Sequence, residues 1–175
     1  MRLGFRPAAA ALCALALLQG CATPPPAAEG PWTSGRLSLR VAEDGPRPAQ
    51  SLTAAFELAG DGDRGQLNLS TPLGSRIASA RWSAAGASLV TAEGEQRFDS
   101  LDDLARRALG EAVPLGALPD WLAGRPWARA PHEPLTDGFL QLGWQVQTGE
   151  RALGRIEARR SQAPEVLLRV RLDPL

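Results

Sequence analysis

The sequence predicts an α+β fold with β in excess: a curved antiparallel sheet with helices against its concave side. Three observations lead there. Apolar and polar residues alternate with period two over most of residues 37–98 and again over 140–172, the pattern of strands with one buried face. Between these stretches, residues 100–124 change to helical spacing and carry helix start and stop signals. The order strands, helices, strands suits helices that bury their apolar stripes against one face of a single sheet.

Residues 1–20 precede the fold and read as a lipoprotein signal peptide. Arg2 and Arg6 form a short basic start, and Ala8 to Leu18 form an apolar run of 11 residues, too short to cross a hydrocarbon core of ~30 Å as a helix. The run ends Leu18-Gln19-Gly20-Cys21, which looks like a bacterial lipobox: small Gly20 admits the peptidase and the Cys21 thiol acquires the diacylglycerol. The alternative is an ordinary cleaved signal with an incidental cysteine. Processing at Cys21 removes Cys13, Arg2 and Arg6 and leaves 155 residues with 17 arginines and no thiol free for a disulfide. Ala22 stands where Gram-negative lipoproteins retained at the inner membrane carry Asp, so the resemblance points to the outer membrane, periplasmic face. Residues 21–31 hold the acylated cysteine and a tether with Pro24-Pro25-Pro26, extended and semi-rigid. Residues 32–175 form one domain, a size at which a chain buries close to 70% of its unfolded surface.

Within that domain Leu37, Leu39 and Val41 alternate with Ser38 and Arg40, and Leu52, Ala54, Phe56 and Leu58 alternate with Thr53, Ala55 and Glu57. Asp61-Gly62-Asp63-Arg64-Gly65 reads as a hairpin turn, after which Leu67 and Leu69, then Ala78, Ala80 and Trp82, resume the alternation. Ala85-Gly86 is a turn, Leu89 starts a short strand, Glu93-Gly94 is a hairpin turn and Phe98 closes the unit. Late in the chain Leu140, Leu142, Trp144 and Val146 alternate with glutamines and Gly143 as one strand, followed by strands around Ile156 and Ala158 and over Val166 to Leu172.

The middle is helical. Ser100 with Asp103 resembles a capping box. Leu101, Leu104, Ala105, Ala108 and Leu109 make one apolar face, Gly110 caps its end, and Asp102–Arg106 and Asp103–Arg107 are spaced for i,i+4 ion pairs. A shorter helix runs from Pro119 through Trp121 and Leu122 to Gly124.

Charge and chemistry exclude more than they suggest. Lys+Arg and Asp+Glu both number 19, so nothing pulls the chain as a whole toward nucleic acid. No nucleophile elbow, Walker loop, G-x-G-x-x-G or H-E-x-x-H motif is present, so neither a catalytic residue nor a metal site nor a cofactor is assigned. His132, the single histidine, lies in the proline-flanked segment Ala130–Pro134 and reads as a solvated loop side chain. Asp61 and Asp63 lack the rest of a calcium loop's ligands. What remains is apolar: Trp32, Trp82, Trp121, Trp127 and Trp144, each as ready to pack a core as to touch a ligand, and Leu73, which the spacing puts at the tip of Pro72-Leu73-Gly74, where turns usually hold polar residues.

These pieces, taken in order, carry a resemblance. The lipobox, Gly35-Arg36-Leu37, the segment Leu69 to Gly74, Ser100 to Leu104, Ala108-Leu109-Gly110, Pro114-Leu115-Gly116-Ala117-Leu118-Pro119-Asp120-Trp121-Leu122-Ala123-Gly124-Arg125-Pro126, Gly143-Trp144-Gln145-Val146 and Leu168 to Leu172 together resemble the LolB family of outer-membrane lipoprotein receptors over essentially the whole mature chain. The resemblance implies a half-open barrel with an inserted helical lid over an apolar cavity. It also implies a function: accepting acylated lipoproteins from the periplasmic carrier LolA and inserting them into the outer membrane, with cargo acyl chains as the only ligand and outer-membrane phospholipid as the destination. Leu73, with Pro72 and Gly74, matches the family's membrane-insertion loop, and Trp121 and Leu122 fall on the lid. Alternation alone nominates Leu39, Phe56, Leu69, Trp82 and Trp144 as cavity lining. The chain has no tyrosine, so any Tyr hydroxyl contact of a relative is missing. A monomer is expected. The rival reading is an outer-membrane-anchored assembly lipoprotein with a filled core that binds a protein partner on its surface; a lipid esterase stands third.

Overall fold

The computed structural model describes residues 30–109 and 113–174. The signal segment, Cys21, the tether up to residue 29 and Gly110 lie outside the described residues. The chain runs β1 (Thr33–Val41), β2 (Gln50–Gly60), β3 (Gly65–Ser70), β4 (Arg76–Ser83), β5 (Gly86–Thr91), β6 (Gly94–Phe98), α1 (Leu101–Leu109), a 3₁₀ turn (Leu115–Ala117), α2 (Leu118–Leu122), β7 (His132–Leu135), β8 (Gly138–Gln141), β9 (Trp144–Gln147), a second 3₁₀ turn (Arg151–Leu153), β10 (Arg155–Arg160) and β11 (Val166–Leu172). All strands join one antiparallel sheet in the order β6-β5-β4-β3-β2-β1-β11-β10-β9-β8-β7. The sheet is not closed: β6 and β7 are its edges.

This order explains where the helices go. The first six strands walk outward from β1 to one edge, and the last five walk inward from the other edge to β11, which closes on β1 through seven register pairs from Gly35–Leu172 to Val41–Val166. The chain must therefore pass from edge to edge between β6 and β7. The described residues of that crossing, 99–109 and 113–131, lie over the concave face, and their apolar side chains bury there: Leu104, Ala105, Val113, Leu115, Leu118, Trp121 and Leu122 all belong to the core. Opposite them stand the inward residues of the strands, among them Leu39, Phe56, Leu67, Trp82, Phe139, Trp144, Val146, Ile156 and Leu168. Burying each large side chain contributes roughly 1.5–3 kcal/mol. The edges are guarded by composition, since β6 carries Glu95 and Arg97 and β7 carries Pro134.

Local chemistry sets several of these elements. Ser100 caps α1 as expected: the Asp103 amide donates to Ser100 Oγ at 3.1 Å and the hydroxyl donates to the Asp103 carboxylate at 2.8 Å. That bond keeps Asp103 near the helix start, where it pairs with Arg106 (i,i+3). The expected pairs Asp102–Arg106 and Asp103–Arg107 are replaced by this single one. α2 begins one residue before Pro119, at Leu118. In the Asp61 turn, Asp61 Oδ1 accepts the amides of Asp63 and Arg64 at 2.7 and 3.0 Å, and the Asp61 carbonyl accepts the Trp82 indole N–H at 2.8 Å. Gly65 makes room for that indole: a Cβ there would lie 2.3 Å from Trp82 Cζ2.

Two expectations need correction. The alternation Leu140–Leu142–Trp144–Val146 is not one strand but the hairpin β8–β9. Leu142 (φ 54°) and Gly143 (φ 76°) are both left-handed, as a two-residue type I′ turn requires, so Gln141 pairs with Trp144. The turn flips the parity: Phe139 and Gln141 face inward with Trp144 and Val146, while Leu140 and Leu142 are exposed. Likewise residues 132–135 are not a loop. His132 opens the edge strand β7, pairs with Gln141 and sets its ring edge-on to Phe139, 6.4 Å between centroids.

An apolar cavity beneath the first helix

The concave side has two unlike halves. Beneath α2 it is filled. Trp121 packs against Phe139 and Trp144 with ring centroids 6.4 and 6.0 Å apart, and all three are buried. Gln141, 1% exposed, locks this half. Its Oε1 accepts the Trp121 indole N–H and the Trp127 amide, both at 2.9 Å, and its Nε2 donates to the carbonyls of Trp127 and Ala130, both at 2.8 Å. Every donor and acceptor site of the amide is used. Arg151 adds a bond from Nε to the Leu122 carbonyl at 2.9 Å. This part of the cover is fastened to the sheet.

Beneath α1 the interior is not filled. A cavity of about 480 Å³ opens between α1 and strands β2 to β6, with Leu52, Leu69, Ile77, Leu89, Phe98 and Leu104 in its wall. The cause lies in side-chain size. Where the filled half presents Trp and Phe, this half presents Ala78 and Ala80 from β4, Ala92 from the β5–β6 turn and Ala108 from α1. A shift of register between Leu69 and Ser70 opposite β4 also brings Ile77 to the wall. The volume falls within the ~300–1,000 Å³ of ordinary ligand pockets. Glu93, Gln96 and Arg107 are the polar long side chains on its border. Arg107 is the arginine that Asp103 does not engage.

The nominated residues divide between the halves. Leu69 lines the cavity. Leu39, Phe56, Trp82, Trp121, Leu122 and Trp144 lie in the buried core instead. Sequence reasoning missed Gln141, placed on the outward side by the one-strand reading, and it did not locate the cavity. The run of alanines facing an amphipathic helix was the available signal.

Leu73 is 94% exposed. Its loop is braced from within: the Gly74 amide donates to the Thr71 carbonyl at 2.9 Å, the Thr71 amide to the Ser75 carbonyl at 2.8 Å, and the Ser75 amide to Thr71 Oγ1 at 3.2 Å. With φ at 86°, Gly74 takes the left-handed position that closes the turn. Pro72 and Gly74 thus hold the Leu73 side chain out in solvent without support from the body of the domain. Cys21 lies outside the described residues.

No helix of the described residues is long and apolar enough to cross a membrane. A family model described as outer membrane lipoprotein LolB matches residues 32–170. The chain is 36% identical over 179 residues to the outer-membrane lipoprotein LolB of Bordetella petrii, covering 95% of this chain and 84% of that one. It is 33% identical to the protein of that name in Bordetella pertussis, over 91% and 82% of the two chains. With the one from Ralstonia nicotianae it shares 32% identity over 76% and 71%.

Proposed function

Since this chain belongs to the LolB family of outer-membrane lipoproteins, we propose that it is an outer-membrane lipoprotein receptor. Anchored through Cys21 at the periplasmic face, it takes the acyl chains of a lipoprotein from the carrier LolA into the cavity beneath α1 and releases them into the bilayer. The observation that carries this reading is the unfilled apolar space of about 480 Å³ between α1 and the sheet. A scaffold that binds partners on its surface has no need of it, and the filled half shows that this fold can pack densely.

The energetics set the direction of transfer. An acyl chain of ~16 carbons held in water costs on the order of ten kcal/mol at about 0.8 kcal/mol per methylene, so cargo crosses an aqueous compartment only inside protein. With no nucleotide motif in the chain, cargo moves downhill, from a weaker carrier site to this cavity and then to lipid. Leu73 touches the bilayer at the last step, where its loop brings an apolar group to the membrane without unfolding anything. Expressed without residues 1–21 and purified from cells making acylated lipoproteins, the protein carries acylated peptide detectable by mass spectrometry. Recovery of the folded protein free of any acyl species, together with failure to accept cargo from loaded carrier, would overturn the reading.

A further inference from the structure

The outward faces of the four central strands β10, β11, β1 and β2 carry six arginines, Arg155, Arg159, Arg169, Arg171, Arg36 and Arg40, against two acids, Glu157 and Glu57. In a chain with equal numbers of basic and acidic residues, this is a local excess of four positive charges. Register sets three of them in one row: Arg155 pairs with Arg171, and Arg171 pairs with Arg36. Like charges directly opposite across strands destabilise a sheet, so folding alone gives no reason for this row. Acids at the strand ends and on β10 relieve only part of it. Arg155 reaches Glu150 at 3.1 Å, Arg169 reaches Glu157 at 2.7 Å and Arg159 reaches Glu165 at 3.7 Å. Arg36, Arg40 and Arg171 have no acidic partner among the described residues. A groove of about 720 Å³ lies over this face, with Ser38 in its lining, bordered by Arg36, Arg155, Arg169 and Arg171 and by the acids Asp137, Glu150 and Glu157, the last two already paired with Arg155 and Arg169, so that Arg36 and Arg171 are, among the described residues, its unpaired cations.

Two further observations point to one occupant. The same register row continues from Arg36 to Ala55, to Ser70 and to Arg76, and Ser70 and Arg76 are the two feet of the Leu73 loop. The charged row therefore leads to the exposed apolar tip. Arg36 also lies only three residues into β1, and eleven residues lie between Cys21 and Thr33, a reach of at most about 40 Å at ~3.5 Å per residue. We propose that the convex arginine row is a docking surface for a bilayer carrying anionic phospholipid. Guanidinium groups pair with phosphate oxygens two at a time. An apolar anchor combined with a basic patch is the pairing of signals that makes membrane attachment firm, and each arginine near an anionic surface strengthens association about fivefold. The proposal takes from the assigned function only the anchor at Cys21 and is independent of what occupies the cavity.

The test uses the full acylated chain reconstituted in vesicles, with a fluorophore on Ser38→Cys, inside the groove. In vesicles containing phosphatidylglycerol the probe is shielded from aqueous iodide, and in phosphatidylcholine alone it is not. Shielding disappears near 1 M salt, where the screening length is about 3 Å. It is lost in the Arg36→Gln/Arg40→Gln/Arg171→Gln variant and kept in the corresponding triple lysine variant. Shielding that ignores lipid charge, or that survives in a folded glutamine variant, overturns the proposal, as does shielding that arises only when an acidic protein is added. Should the glutamine variant fail to fold, the lipid and salt series on the parent chain decide alone. Failure here with acyl cargo transfer intact removes the docking surface and leaves the receptor reading standing.

Discussion

Filling the space beneath α1 should separate ligand binding from folding. Ala78 sits on the inward face of β4, flanked by Leu69 of β3 and Thr91 of β5, and its methyl group is part of the cavity wall. Ala78→Phe puts a ring into a volume of about 480 Å³. If the ring displaces about four methylenes of an acyl chain at ~0.8 kcal/mol each, affinity falls by about 3 kcal/mol, on the order of 100-fold in Kd. Stability moves the other way, because filling a void in an apolar interior typically adds ~0.5–2 kcal/mol. Displacement of a fluorescent fatty acyl probe and thermal unfolding of the same samples read the two effects. Unchanged affinity would show that acyl chains go elsewhere, and a loss of ~1–3 kcal/mol of stability would show that the site was already full. Either result refutes the reasoning from the alanines.

Leu73→Glu should leave the thermal midpoint and cargo binding as they are, because the side chain is 94% exposed, while incorporation of cargo into vesicles stops; normal incorporation in a reconstituted assay would remove the loop from the mechanism. Gln141→Leu strands the Trp121 and Trp127 N–H groups and two carbonyls, costing about 3 kcal/mol and lowering the thermal midpoint by roughly 10 °C in a domain of this size. Acid should weaken the fold through two turns. The amides of Arg64 and then Asp63 hold the Asp61 carboxyl below its usual range, and the Ser100 hydroxyl followed by Arg106 does the same for Asp103. Both carboxylates have a lower pKa folded than unfolded, so their contribution is complete above about pH 4 to 5 and is lost as pH falls through the folded values. Thermal midpoints of Asp61→Ala/Asp103→Ala should therefore fall less steeply between pH 5 and 3 than those of the parent.

The fold was legible because its strongest signals are local. Alternation over 37–41, 52–58 and 166–172 marks the central strands, whose inner faces are buried, and the Ser100 cap with its apolar stripe marks α1. What escaped was decided by two dihedral angles or by the absence of side chains. A leucine at φ 54° gives no compositional warning of a type I′ turn, so Leu142-Gly143 passed for strand and took the facing of Gln141 with it. His132–Leu135 carries no alternation because both its faces are exposed at the sheet edge. Large apolar residues drew attention as cavity lining, yet large residues fill space; the cavity lies where Ala78, Ala80, Ala92 and Ala108 leave it. The Leu73 loop was legible for the opposite reason, since Pro-Leu-Gly names its own geometry. The arginine row needed the register, which no single stretch contains.

The tether enters the sheet at β1, and β1 is bonded on both flanks, to β2 and to β11. If the chain is anchored through Cys21 as proposed, a pull on β1 along its length is spread over two ladders in the interior of the sheet, so many bonds share the load and none can be unzipped one by one. The rims at β6 and β7, joined by the helical crossing, carry no such force. For a receptor moored through Cys21, a fluctuating bilayer would thus load the interior of the sheet and leave the wall of the cavity beneath α1 unloaded.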